Sequence, residues 1–111
     1  MDSIVIVATT CSSMEEASHL AKEVIEKRLV ACCQVIPNVH SYYIWKGETT
    51  SSQEVVLQMK TFPFAQERLV RYVQEHHSYE LPEIIVYQVS CASEAYMMWM
   101  HDLLVKKEEN L

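Results

Sequence analysis

The chain has 111 residues, half of them apolar and 22% charged, with 15 acidic against 9 basic side chains and a net charge of −6. That length fits one domain, the composition is that of a folding rather than a disordered chain, and so acidic a chain without a basic stretch is not expected to hold a nucleic-acid backbone. No apolar run reaches the roughly 18 residues of a membrane span, and Asp2 ahead of Ile4–Ala8 gives no charged n-region for a signal peptide. The expectation is a cytoplasmic domain, 1–111, with no nucleic-acid or membrane partner.

Gly47 is the only glycine. Glycine-rich phosphate loops need several backbone positions without Cβ, so such loops are excluded, and no organic cofactor is expected. Cysteines fall at 11, 32, 33 and 91. The chain is apolar enough to build a core without cross-links, so reduced thiols are expected.

Along the chain, Ser3 to Thr9 holds the β-branched run Ile4-Val5-Ile6-Val7, apolar on both faces, as in a central strand. Ser12 or Ser13, with Glu15 or Glu16 three residues on, makes a capping box. A helix follows to about Arg28, with the stripe Ala17, Leu20, Ala21, Val24, Ile25, and Lys27 and Arg28 closing it. Residues 30–46 read as one long strand interrupted at Pro37-Asn38. Proline cannot donate to a ladder, so this strand belongs at an edge and is bent there. Gly47 to Ser52 reads as a polar turn. Residues 53–61 then alternate, with Val55, Leu57 and Met59 to one side and Glu54, Gln58 and Lys60 to the other.

Pro63 opens a second helix that runs to about His76, with Ala65, Leu69, Tyr72 and Val73 inward. Pro82 ends anything helical, and Glu83 to Ser90 is a fourth strand. Ser93 caps a third helix, 94–107, with the stripe Tyr96, Trp99, Met100, Leu103, Leu104.

The order β-α-β-β-α-β plus a C-terminal helix is the α+β, ferredoxin-like split βαβ, here with a long protruding β-hairpin. Crossover rules put the first and third strands in the centre. Two helices cover one face. The other face also carries apolar residues: Ile84 and Val86 pair by parity with Ile4 and Ile6, against Ile85, Val89, Val5 and Val7. A third helix covers only part of it. Tyr42, Tyr43, Ile44 and Trp45 near the hairpin tip would form an exposed apolar patch. Either the hairpin folds back on its own sheet, or it closes a homo-oligomer through Tyr42, Tyr43 and Trp45.

Five segments together resemble the CutA divalent-cation tolerance proteins: Arg28 to Val39, the hairpin Ser41-Tyr42-Tyr43-Ile44-Trp45-Lys46-Gly47-Glu48, the strand Glu54 to Thr61, His76 to Ile84, and the helix Tyr96 to Leu104. Ser78 stands where that family has proline. The resemblance covers nearly the whole chain. It implies a homotrimer similar in architecture to PII signalling proteins, no enzymatic activity, and a role in tolerance of divalent metal ions, copper above all. It also implies a copper site built from the pair His76 and His77 and a cysteine on the first strand. Ala8 occupies that strand position, and Cys11 lies three residues on.

His76, His77 and Cys11 are therefore the candidate ligands for copper or another divalent cation, since imidazole and thiolate suit copper. The bland alternative is that His77, Tyr79, Pro82 and Glu83 order a turn. Cys11, beside a helix N-terminus, is expected to have a lowered pKa. Cys32 and Cys33 point to opposite faces of a strand and cannot chelate one ion together. Lys60, Tyr79 and Glu83 flank strand ends and are expected to converge at a subunit cleft able to take a small anion or metabolite. Trp45 and Trp99 read as packing anchors. Two functional classes follow: a metal-binding trimer, or a PII-like signalling or scaffold trimer that binds a small ligand or a partner protein.

Overall fold

The computed structural model describes residues 3–106; the expected helix end at Lys107 lies outside them. Strand β1 (Val5–Cys11) leads to helix α1 (Met14–Glu26), β2 (Cys32–Trp45) and β3 (Glu48–Thr61). Helix α2 (Pro63–His76), β4 (Ile84–Gln88) and α3 (Glu94–His101) follow, the last running into a π-helical turn at Asp102–Lys106. The strands form one antiparallel sheet in the order β2-β3-β1-β4, with β1 and β3 central as the element order requires.

The two faces of β1 bury against different helices. Val7 and Cys11 join Val55, Leu57 and Met59 under Ala17, Leu20 and Val24 of α1 and Leu69 and Val73 of α2. On the opposite face, Ile4 and Phe62 pack against Met100 and Leu104 beyond β4. Trp99 is 46% exposed and lies outside that second cluster, its ring 5.5 Å from that of Tyr96, which packs against the cluster.

The register pairs Val7 with Val86 and Thr9 with Ile84. Directly opposed residues share a face, so Ile84 and Val86 lie on the face of Val5 and Val7, and Ile85 lies with Ala8. This reverses the parity expected above. Alternation fixes the two faces of one strand, but the phase between strands comes from register, which alternation does not carry.

Helix ends follow local chemistry. Ser13 Oγ accepts from the Glu16 N–H at 3.1 Å, and Glu16 Oε1 accepts from the Ser12 N–H, also at 3.1 Å. The expected closure of α1 by Lys27 and Arg28 is corrected. Lys27 is the C-cap and Arg28 sits beyond it at φ 59°. The Arg28 N–H bonds the Ile25 carbonyl and the Leu29 N–H bonds the Val24 carbonyl, so the chain turns sharply into β2 in a Schellman motif.

The hairpin is longer than the polar segment suggested. Trp45 pairs with Glu48, and the turn is only Lys46-Gly47, at φ 51° and 80°. Positive φ at both positions is the type I′ geometry that matches strand twist, so Glu48 to Ser52 continue as strand rather than turn. At its base, a bulge between Ile36 and Val39 absorbs Pro37, with Asn38 at φ 62°. Gln53 Nε2 donates to Asn38 Oδ1 at 2.9 Å and holds the bend. The projecting ribbon stretches the chain to 50 × 27 × 21 Å.

Candidate functional site

The candidate site lies where the base of the hairpin, the end of β1 and the loop from α2 to β4 meet. Adjacent imidazoles at the end of a helix diverge, because each residue turns the helix by about 100°. The ring of His76 stacks on Tyr72 at 4.0 Å, and its Nδ1 lies 2.9 Å from the Tyr72 carbonyl. The His77 ring turns the other way and is fully buried.

Both nitrogens of His77 are engaged. Nε2 lies 2.9 Å from the Thr10 carbonyl, and Nδ1 lies 3.0 Å from the Tyr79 N–H. A carbonyl only accepts and a backbone N–H only donates, which assigns the neutral tautomer with its proton on Nε2. In that tautomer the 3.8 Å approach of Glu16 Oε2 to Nδ1 is not an ion pair. Glu16 Oε2 instead accepts from the Ser78 N–H at 2.8 Å. Burial raises the pKa of this carboxyl, but hydrogen bonds from Ser78 and Ser12 outweigh burial and hold it below the usual carboxylate value.

The loop then presents Tyr79. Its hydroxyl donates to Glu54 Oε2 at 2.8 Å, and its ring tilts against His77 at 4.9 Å. Burial first, and then the hydrogen bond to Glu54, push the phenol upward, so it stays a donor. Glu54 is 8% exposed, although alternation had placed it outward with Gln58 and Lys60. It lies on the sheet face that α1 and α2 do not cover, where the loop folds over it. Thr9 Oγ donates to the Glu83 carbonyl at 2.7 Å and ties the end of the loop to β1.

Above this network opens a groove of about 760 Å³, lined by Thr10, Ser41, Tyr43, Trp45, Glu54, Tyr79, Leu81 and Glu83 among others. It unites two of the expected cleft residues, Tyr79 and Glu83, with Tyr42, Tyr43 and Trp45 of the hairpin. Lys60 is elsewhere. Its Nζ sits 5.7 Å over the ring of Tyr96, on α3, six residues and about 20 Å along β3 from Glu54.

Cys11 is the last residue of β1 and is buried in the core under α1. The expected lowering of its pKa is reversed. Burial, and then the carboxylates of Glu16 and Glu54, push the thiol up to about 12. Ala8 faces the other side of the sheet, so Cys11 is not a displaced copy of a thiol at that position. Cys33 faces α1, and burial pushes its thiol too up to about 12. All four cysteines are free. Among the described residues no group of three or more His, Cys, Asp or Glu side chains is placed to hold a metal ion. His76, His77 and Cys11 share one end of the fold without converging.

The family model described as CutA1 divalent ion tolerance protein matches residues 5–103. The chain belongs to that family. It is 34% identical over 97 residues to the divalent-cation tolerance protein CutA of Thermus thermophilus, covering 87% of this chain and 94% of that protein. Mouse protein CutA is 35% identical over 94 residues, which cover 85% of this chain but 53% of that protein, so the chain spans about half the length of this CutA relative. The solved structure of CutA from Synechococcus elongatus superposes with a TM-score of 0.89 at 31% identity, over 94% of this chain and 92% of that one. Compartments named for CutA relatives differ, chloroplastic in Arabidopsis thaliana and periplasmic in Archaeoglobus fulgidus. In the present chain, no helix among the described residues is long and apolar enough to cross a membrane.

Sequence reasoning missed Glu54, Glu16 and Thr10. Glu16 left a signal, since the capping box already tied it to the start of α1. Glu54 left a weaker one, as the single acidic residue of the alternating stretch 53–61. Thr10 acts through its carbonyl, which no side-chain pattern reports.

Proposed function

We propose that this protein serves divalent-cation tolerance as a non-enzymatic homotrimer that receives a small ligand in the groove beneath its hairpin. The observation that carries this reading is the contrast in side-chain use. Both nitrogens of His77 and the thiol of Cys11 are committed to the fold, whereas the groove above them is open and walled by aromatic and carboxylate side chains. Closure into a homotrimer is supported by Tyr42 and Ile44, each 76% exposed near the tip of the β-ribbon. The number of copies follows the family resemblance. Cytoplasmic residence belongs to the same proposal and is supported by the four free thiols.

Copper coordination by His76, His77 and Cys11 is the second reading. It requires His77 to leave Thr10 and Tyr79, Cys11 to leave the core, and His76 to unstack from Tyr72. Anaerobic calorimetry with Cu(I), Cu(II) and Zn(II) on the wild type and on Cys11→Ser/His76→Ala/His77→Ala separates the two. The groove reading expects equal, weak affinities in both proteins, with the variant's fold checked by circular dichroism. A loss of tenfold or more in the variant for one metal would establish the copper reading in its place.

A further inference from the structure

We propose that Glu54, at the floor of the groove, anchors the assembly by pairing its open oxygen with Lys60 of a second copy of this chain. The inference rests on the homotrimer reading and adds the contact that completes the groove. Tyr42, Tyr43 and Trp45 form the hairpin wall of the groove and are also the surface given to closure of the trimer, so in the assembled protein a second copy lies against it.

Glu54 needs what one chain does not provide. A carboxylate 8% exposed requires a compensating partner. Tyr79 satisfies Oε2, while Oε1 has no hydrogen-bond partner among the described residues. Every fully enclosed polar side-chain atom described has a partner, so Oε1 is not enclosed and opens to the groove. The rest of the lining adds Glu80 and Glu83 but no lysine, arginine or histidine. A second copy that covered this floor with apolar groups alone would bury an unpaired charge, which is strongly unfavourable.

Lys60 is the complementary group. Alternation along β3 puts Glu54 and Lys60 on one face, the face that α1 and α2 leave uncovered, and Lys60 is the only cation among the strand residues of that face. Its Nζ sits 5.7 Å over the ring of Tyr96, and among the described residues no carboxylate pairs with it. Six residues, about 20 Å along the strand, separate the two groups and exclude their pairing within one chain. Copies in a three-fold ring meet through a heterologous contact, in which a patch on one copy faces a different patch on the next. Glu54 therefore does not face its own image, as it would across a two-fold axis. The acidic groove of one copy instead meets the Lys60 end of β3 in its neighbour. Lys22, Lys27, Arg68 and Arg71 belong to α1 and α2, on the other side of the sheet. Lys46, at the hairpin tip, is the competing donor.

The test follows exchange of subunits between isotopically light and heavy full-length chains by native mass spectrometry. Removing one member of a buried charge pair acts chiefly on dissociation. Glu54→Gln keeps an acceptor for Tyr79, and Lys60→Met keeps an apolar stem. Each should speed exchange about tenfold or more, and the double variant should be no faster than the faster single one. Wild-type exchange in Lys60→Met would overturn the pairing and leave the homotrimer standing, and this variant decides alone if Glu54→Gln does not fold. Effects of the two single variants that multiply in the double variant would overturn the pairing as well. Faster exchange in Lys46→Met with none in Lys60→Met would overturn it too and give the role to the hairpin tip. A wild-type chain that sediments as a folded monomer would overturn both the pairing and the homotrimer.

Discussion

The same pair of strands behaves as core at one end and as open ribbon at the other. Toward the base, β3 gives Leu57 and Met59, fully buried beneath α1 and α2, with Cys33 and Val35 of β2 half-buried beside them. Toward the tip, Tyr42 and Ile44 are exposed on the same ladder, with unbroken pairing to the Lys46-Gly47 turn. Backbone pairing therefore runs on both sides of the bulge at Pro37-Asn38, and what changes is what the side chains meet. Hydrogen bonds define the ribbon, and burial decides which part of it is stable alone.

Leu57→Ala should have the largest effect. Its site is closed on all sides, so a lost side chain leaves a cavity, and denaturant titration should show a loss of about 2–5 kcal/mol. Tyr42→Ser with Ile44→Ser should instead keep the native far-UV spectrum and lower the sedimenting mass, because those side chains have no partner within the subunit. Equal loss of subunit structure at both sites would erase the distinction between base and tip.

Tyr79→Phe tests the border between the two regions. It removes the donor to Glu54 Oε2 and leaves a nearly buried carboxylate without that bond, so stability should fall by about 1–3 kcal/mol, an effect that Glu54→Gln/Tyr79→Phe should reduce. An unchanged midpoint in the single variant would mean that the loop does not clamp the groove floor.

Glu16 gives the smallest and most conditional effect. Its folded pKa lies below the ordinary 4.5, so the native state binds fewer protons than the unfolded one in that range. Its contribution is complete above about pH 4.5 and is lost as pH falls through the lower folded value. Glu16→Gln should lower stability slightly near neutrality and flatten the acid limb of a stability–pH profile, the two profiles converging at low pH. A profile identical to wild type would show that the Ser78 and Ser12 contacts do not persist in solution.

Much of this fold is legible in residue order. β-branched runs, Pro63, the Ser13–Glu16 box and the stripe of α1 place the elements, and the element order gives the sheet. The interruption at Pro37-Asn38 marks the bulge before any coordinates do. What escaped depends on relations between segments. The phase of β4 against β1 is a matter of register, and the reach of the hairpin past Gly47 turned on a lysine at positive φ. The site was half legible. Tyr79 and Glu83 do come together within one chain, while Lys60 lies about 20 Å along β3 from Glu54, and the expected convergence of all three is at a cleft between subunits, which depends on a second copy. His77 looked like a ligand because an imidazole is usually chemistry-bearing, yet here it is a buried bridge between the Thr10 carbonyl and the Tyr79 N–H.

The most direct test of the central claim is the mass of the unmodified chain in solution, by sedimentation equilibrium over a hundredfold range of concentration. The account predicts a closed particle of three times the 12.9 kDa chain that persists on dilution. A species of 12.9 kDa with a folded spectrum at micromolar concentration would contradict it, since the open hairpin would then be stable in water without a second copy.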